Sequence, residues 1–599
     1  MLTIVNDFGL RTHAFTKLRN IKFPGGNLMK KKFRTNEHLY SEKPWLKAFD
    51  EDVMKWHDKY VKFYDREEFA VPVYPEIPLK DLFNKWAEEK PDKDYIIYND
   101  TKLNYHTVNT LARKLANALI SLGVSKGDRV AIMAPNIPQY VISIHALLKF
   151  GAIEVPANVL YTVPELKLQF NDSGSETVIV LEPFADKAVK ILREKGNSVK
   201  RVIVIQIPGA PVEIEKAPDI FDFNEIIGAA SDAEPDVPVY PSDISKLQYT
   251  GGTTGVPKGC VITNAMNMSQ VVRTSEWLGM AAPPEDFRTL CAIPLNHIYG
   301  YNANVNICLY KGGTIILVAQ PTPDSLLEAI NKHEPNIWAA VPAMIIGLIN
   351  HPDIGTSKIK SIKGIFCGSA PLAVGTLHKF EELSGGRIVE GAGMSETVNI
   401  YTVNPVNTKR KFGSCGIIWP DTDLVVVDVE TGKKVMPRGQ EGELIGRGPQ
   451  FIKEYWNNPE ETAKTIKDGW LYTGDVVKID EEGFVFIMDR VKDMIIVSGF
   501  NVYPRDIDEV LYKHPSIVEA CTIGVPDEKQ GEAVKAYVVI QEGVTLTADE
   551  IITYCREQLA PYKVPKQIEF VDAIPRTPVG KPDRKILKVK EFSLKELSN

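Results

Sequence analysis

Apolar positions along the chain change period several times, and each change marks a different kind of element. Between Thr107 and Leu122, the residues Val108, Leu111, Leu115, Leu119 and Leu122 recur at steps of three and four, which predicts an amphipathic helix capped by Thr107. Beyond it come the strand-like runs DRVAIMAPN, IEVPAN and TVIVL, separated by the helix-like PQYVISIHALLKFGA and PELKLQFNDSGS. The same alternation returns in RTLCAIPL, TIILVA, SLLEAINKHEP, NIWAAV and GIFCGSAPL. Strands alternating with helices predict an α/β fold of parallel-type sheets covered on both faces. Upstream, WLKAFDEDVMKWHDKY sets charges and aromatics at helical spacing and reads as an arm lying on the main body.

The pattern breaks near residue 411. DTDLVVVDVE, EGELIGRG and GFVFIMDR are short strands between Gly, Pro and Asp turns, so 411–490 is expected to form a small β-barrel-like subdomain. Past Arg490, IDEVLYKHP, VEACTIGVP, EAVKAYVVI, ADEIITYCREQL and QIEFV have the makings of a compact α+β domain, 491–599. A large N-terminal domain would then span 35–490. The first 34 residues carry eight Lys or Arg against the single acid Asp7, and read as a disordered basic leader, a targeting segment or an over-long start.

Length and composition narrow the classes. A chain of 599 residues is too long for one core. The net charge of −7 gives no reason to expect nucleic acid. The most apolar stretch, Val130 to Val155, is interrupted by Pro135, Pro138, His145 and Lys149, so no transmembrane segment is expected. Seven cysteines show no CxxC pair and no zinc spacing, which fits reduced thiols in a cytoplasmic protein. Composition neither demands nor excludes a homo-oligomer.

Candidate chemistry starts at YTGGTTGVPKG, residues 249–259. Gly251, Gly252 and Gly255 allow close backbone approach, and Thr250, Thr253, Thr254 and Lys258 add hydroxyls and a cation, so the stretch reads as a phosphate-binding loop running into a helix. It is not a Walker A loop, because Val256 stands where that motif needs its second glycine. GAGMSET, 391–397, contains a GxG, but Glu396 replaces the third glycine of a dinucleotide fingerprint.

The glycine loop, followed in order by IPLNHIYG, GSAPL, GAGMSET, GWLYTGD, DRVKDMIIVSGFNVYP and PRTPVGK, resembles the acyl-adenylate-forming superfamily from about residue 45 onward, and most of all its medium- and long-chain fatty acyl-CoA synthetases. The resemblance implies ATP, Mg²⁺ and coenzyme A as cosubstrates, a small-molecule carboxylic acid as partner, and a C-terminal domain that moves between two half-reactions. It implies that Gly251 to Gly255 and Lys258 hold the β- and γ-phosphates. Gly368, Ser369 and Ala370 would face adenine, and Gly391, Ala392, Gly393, Met394 and Ser395 would line the nucleotide. Ser395 is expected at the α-phosphate, Glu396 on Mg²⁺, Asp475 and Arg490 on the ribose, and His297 at the acyl carboxylate. Lys581 becomes the expected catalytic cation, Lys492 the hinge, and Gly499 part of the coenzyme A channel; Val341, Pro342, Ala343, Met344 and Cys367 become candidates for the acyl pocket. Three positions depart from the family pattern: Ala392, where relatives carry an adenine-stacking ring, Asn296 and Pro582. Three other readings stay open at this point: a coenzyme A ligase for aryl, branched or hydroxy acids, a stand-alone adenylating enzyme with another acceptor, and a non-catalytic nucleotide binder.

Overall fold

Four sheets organise the chain in the computed structural model, which describes residues 34–64, 72–207, 217–250, 258–279, 281–282, 286–370, 372–498, 500–527, 530–576 and 582–598. The first has nine strands, in the order Ile417–Ile418, Asn399–Val403, Arg387–Met394, Gly364–Cys367, Ile337–Ala340, Arg288–Cys291, Thr314–Leu317, Asp94–Tyr98 and Thr101–Asn104. It is parallel through its middle and antiparallel at both edges. The second has seven, from Ile220–Asp222 through Arg201–Ile205, Thr177–Leu181, Arg129–Met133, Ile153–Pro156 and Ile244–Thr250 to Lys258–Thr263. Its central strands are mostly apolar and buried on both faces, as parallel strands between helices must be, and the buried Glu154 among them is paired with Lys246 at 2.8 Å.

Two expectations about local structure are corrected. The helix Tyr105–Ser121 is capped by Asn104, whose side chain accepts the backbone N–H of Thr107, so Thr107 supplies the bonded amide and not the cap. The glycine loop does not open a helix. Lys258–Thr263 is a strand paired antiparallel with Ile244–Thr250, with Thr250 opposite Lys258, and the helix Asn264–Gly279 begins only after it. The run Cys260–Val261–Ile262 is buried and rich in β-branched residues, which favours a strand over the helical pattern that begins further on. The strand that follows the loop therefore separates it from that helix, and residues 251–257 themselves lie outside the described residues.

A third, antiparallel sheet pairs Asp423–Val427, Glu441–Arg447, Trp470–Ile479 and Ile466–Lys467, with Val485–Arg490 also on Trp470–Ile479. The arm helix Pro44–Val61 packs on it: Phe49 meets Trp470 edge-to-face at 5.6 Å, and Arg447 joins Asp50 at 2.7 Å and Asp423 at 3.1 Å in the buried seam. Burying rings of that size contributes roughly 2 kcal/mol each. Arg34 is held against the same face by Asp421 at 2.6 Å, so of the basic leader expected over 1–34 this residue is docked, while 1–33 lie outside the described residues.

The fourth sheet runs Phe500–Val502, Ile495–Val497, Gly531–Ile540 and Ile517–Asp527, with Gln567–Phe570 added parallel to Gly531–Ile540. The helices Pro504–Leu511 and Ala548–Gln558 cover it, and its core of Ile495, Ile507, Leu511, Val534, Ala536 and Ile551 is separate from those of the larger sheets.

Between the sheets, the helix Asn264–Gly279 is buried along nearly its whole length although half its residues are polar. Two of its longest polar side chains tie it to the segments leading into the site. Gln270 Nε2 donates to the carbonyls of Thr397 at 2.9 Å and Ile400 at 2.8 Å, and Arg273 donates to Pro420 at 2.6 Å and Gln450 at 3.0 Å. A buried polar side chain without such partners would be destabilising by about 1–3 kcal/mol.

Candidate active site

One cavity of about 560 Å³ gathers most of the motifs. Its walls include Thr250 and Lys258 from the hairpin, His297 and Tyr299, Gly368 and Ser369, the whole of Gly391 to Glu396, and Arg490 with Lys492. These residues are up to 242 positions apart in the chain, from Thr250 to Lys492, and the sheet topology alone brings their strand ends together.

The turn at His297 is forced by its glycine. A Cβ on Gly300 would lie 2.2 Å from the carbonyl oxygen of Pro294, so only glycine lets the chain fold back there. His297 Nδ1 accepts the backbone N–H of Tyr299 at 3.2 Å, which leaves Nε2 as the N–H of the neutral ring. Tyr299 is buried, donates to the carbonyl of Phe366 at 2.6 Å and that of Ala340 at 3.1 Å, and packs edge-on against the Phe366 ring.

GAGMSET is the end of the strand Arg387–Met394 and a tight turn, Ser395–Thr397. It lies so close to the next strand that a Cβ on Gly393 would fall 1.4 Å from the oxygen of Asn399. Val398 takes φ +48°, a strained conformation for a β-branched residue, and is held there by Asn302, which donates to its carbonyl at 3.0 Å, together with Gln270 on either side. Strain of this kind fixes where Glu396 points. The Glu396 carboxyl is buried, accepts the Tyr455 hydroxyl at 2.8 Å, and has its pKa raised by that burial. A cation or a bound polyanion–cation pair beside it would favour the ionised form.

Asp475 sits just behind the wall. It is 3% exposed, with Oδ1 joined to Arg490 at 2.7 Å across the sheet register and Oδ2 accepting the Tyr401 hydroxyl at 2.9 Å. Each oxygen has a further lone pair for a ligand hydroxyl. Asp475 in turn raises the Arg490 pKa, so this cation is fixed. Lys492 is the reverse case: its pKa is lowered, chiefly by burial and against the opposing pull of Asp493. Lys258 is ion-paired with Glu461, and its ammonium lies 5.8 Å from the centre of the Tyr455 ring.

Other expected site residues lie elsewhere. Ala370 is exposed and off the cavity wall. Val341, Ala343, Met344 and Cys367 do not line this cavity either: Ala343 is exposed, Val341 and Met344 pack at the edge of the core, and Cys367, with its thiol pKa raised by burial, points into the hydrophobic layer on the far side of the sheet. Gly251, Gly252, Thr253, Thr254, Gly255, Gly499 and Lys581 lie outside the described residues. The flanks of Lys581 are described: Arg576 and Pro582 form an antiparallel bridge, and Arg584 is joined to buried Asp508 at 2.6 Å. Tyr401, Tyr455, Glu461 and Lys464 were not anticipated, since none sits in a glycine-rich motif. The EYWNNPEETAK run, dense in rings and charges just before GWLYTGD, was the available signal.

Comparison with known proteins agrees with this geometry. The family described as AMP-binding enzyme matches residues 83–456, and the AMP-binding enzyme C-terminal domain matches 506–581. The long-chain-fatty-acid–CoA ligase of Bacillus subtilis (strain 168) is 37% identical over 562 residues, covering 91% of this chain and 97% of that protein. The protein of the same name from Yersinia pestis is 33% identical over 577 residues, 92% of this chain and 99% of its own. The crystal structure of ATP-bound MatB from Rhodopseudomonas palustris superposes with a TM-score of 0.77 at 29% identity, covering 86% of this chain and 99% of that one. With both family regions in order and relatives matched over nearly their full length, the chain belongs to the AMP-binding enzyme family.

Proposed function

We propose that the protein is an ATP-dependent acyl-CoA ligase acting on long-chain fatty acids. The acid carboxylate attacks the α-phosphate of ATP to give acyl-AMP and pyrophosphate, and the coenzyme A thiol then displaces AMP to form the thioester. The observation that carries this reading is the convergence on one cavity of an anchored cation pair, Lys258 and Arg490, a buried acid, Glu396, and a neutral histidine, His297. Those are the groups a triphosphate and a carboxylate need beside them. The fatty chain is suggested by the names of the relatives and by the apolar rings Tyr299 and Phe366 on the wall.

Within this reading Lys258 takes the terminal phosphates, and Asp475, already oriented by Arg490 and Tyr401, accepts the ribose hydroxyls. His297, on the same wall, is assigned to the acid carboxylate through the motif resemblance. No group of three His, Cys, Asp or Glu suited to a metal occurs among the described residues, so the site fits an ion that arrives with its phosphates and gains one protein carboxylate, Glu396. Such a Mg²⁺ ion would supply charge neutralisation for the triphosphate. Lys581 is assigned to adenylation, Lys492 to the hinge and Gly499 to the coenzyme A channel through the motif resemblance. All seven cysteines are free thiols, which supports a cytoplasmic setting.

The test is coenzyme-A-dependent AMP release across acids from acetate to palmitate, with aryl and hydroxy acids included. The expected profile rises with chain length and requires coenzyme A throughout. A maximum on an aryl or short acid would overturn the substrate assignment, and AMP release indifferent to coenzyme A would overturn the thioester step.

A further inference from the structure

The segment 454–465 is stitched to the strand that carries Lys258. Trp456 N–H donates to the Gly259 carbonyl at 2.7 Å and Val261 N–H to Glu454 at 3.3 Å, while Tyr455 and Cys260 form a bridge. Gly259 eases this crossing, since a Cβ there would lie a tight 3.1 Å from the Tyr249 ring and 3.3 Å from Trp456 Cβ. The helix that follows, Pro459–Thr465, is started by Asn458, which accepts the Glu461 N–H at 3.1 Å, and Thr462 Oγ1 accepts the Tyr455 N–H at 2.9 Å. The backbone thus delivers the Glu461 carboxylate onto the Lys258 ammonium, at a point where both side chains are mostly shielded, 23% and 14% exposed. Among the described residues no other carboxylate is ion-paired with Lys258. Lys464, one turn on, and Lys467 present further cations to the same wall.

A pair of this kind adds little to stability, and the segment is fastened by backbone hydrogen bonds that do not involve the carboxylate. Its consequence is electrostatic. A phosphate reaching Lys258 meets an anion already in place, and it must displace Glu461 to make its own contact. We infer that Glu461 is an internal competitor for the phosphates at Lys258, a positioning residue that lowers the affinity of the site for pyrophosphate and speeds departure of this product. The inference rests on the reading above, in which Lys258 holds the terminal phosphates of ATP. It explains why a site that must bind a triphosphate keeps a carboxylate on its phosphate lysine. Attack at the α-phosphate turns the two outer phosphates into a separate, highly charged product, and a group that takes back the lysine helps this product leave.

The experiment measures binding of inorganic pyrophosphate to the full-length protein by calorimetry, with competitive inhibition of AMP release as a second readout. Glu461→Gln, which keeps the shape and removes the charge, is expected to tighten pyrophosphate about two- to fivefold and to lower the KM for ATP, with kcat falling as product release slows. Glu461→Asp, which keeps the charge, is expected to stay near the parent. In the Lys258→Ala background, Glu461→Gln is expected to have no effect on pyrophosphate. Unchanged pyrophosphate affinity in a folded Glu461→Gln protein that still turns over ATP would overturn the inference and leave the ligase reading standing. Failure of the parent protein to bind either ATP or pyrophosphate would overturn both.

Discussion

Asp475 illustrates how much one side chain carries at this site. Its two oxygens are already committed to Arg490 and Tyr401, and those partners hold the carboxylate in one orientation just behind the cavity wall. Asp475→Asn should therefore raise the KM for ATP by about tenfold or more, since a charged hydrogen-bond acceptor is lost and Arg490 is left without its anion; initial rates against ATP check this. Ala392 is the opposite case, a small residue on the wall at the position where the motif resemblance leads one to expect a ring. Ala392→Tyr is expected to lower the KM for ATP about fivefold by adding a stack, and an unchanged or higher value would show that a ring already on the wall, such as Tyr299, fills that role. At this scale the motifs exposed Lys258, His297, Glu396, Asp475 and Arg490, because glycines and prolines around them fix the backbone in recognisable patterns. Tyr401, Tyr455 and Glu461 escaped because their roles come from contacts across 74, 59 and 203 positions of chain, which no local pattern encodes.

Elements were legible where their periodicity was long and unmixed. The helix Pro138–Phe150 and the strands on either side of it follow the hydrophobic pattern closely. The glycine loop misled because the helical run after it begins a whole strand later, at Asn264, and an apolar stretch as short as Cys260–Ile262 has no readable period of its own. Inside the Pro138–Phe150 helix, His145 stacks on Phe83 at 3.9 Å and shares a 2.8 Å hydrogen bond with the Tyr95 hydroxyl, and burial lowers its pKa from 6.5 to about 3. A base whose pKa is lowered by folding is stabilising above its unfolded value, and that contribution is lost as pH falls from 6.5 toward 3. Urea unfolding at pH 7 and pH 5 should show a loss of up to about 2 kcal/mol from this residue. His145→Gln, which cannot titrate, should have a correspondingly flatter pH dependence over the same interval.

At the scale of the molecule, the large sheets, the small antiparallel sheet and the C-terminal sheet were all foreshadowed by changes in hydrophobic period. The order of strands within the sheets was not, because crossovers leave no trace in the pattern. The site lies among residues of the first three sheets and their loops, and its last wall residues, Arg490 to Lys492, close the third sheet just before Ile495 opens the fourth. The proposed division of labour assigns Lys581, in the C-terminal unit, to the first half-reaction. Lys581→Ala should accordingly lose nearly all acyl-AMP formation while keeping much of the thioester formation from supplied acyl-AMP; equal damage to both would contradict it.

The central claim is tested most directly by separating the two half-reactions of the unaltered protein. Incubated with ATP, magnesium and palmitate but no coenzyme A, it should form enzyme-bound palmitoyl-AMP and one equivalent of pyrophosphate; on addition of coenzyme A, palmitoyl-CoA and AMP should appear in equal amounts. Palmitoyl-AMP that forms and then persists in the presence of coenzyme A, or that never forms, would contradict the account.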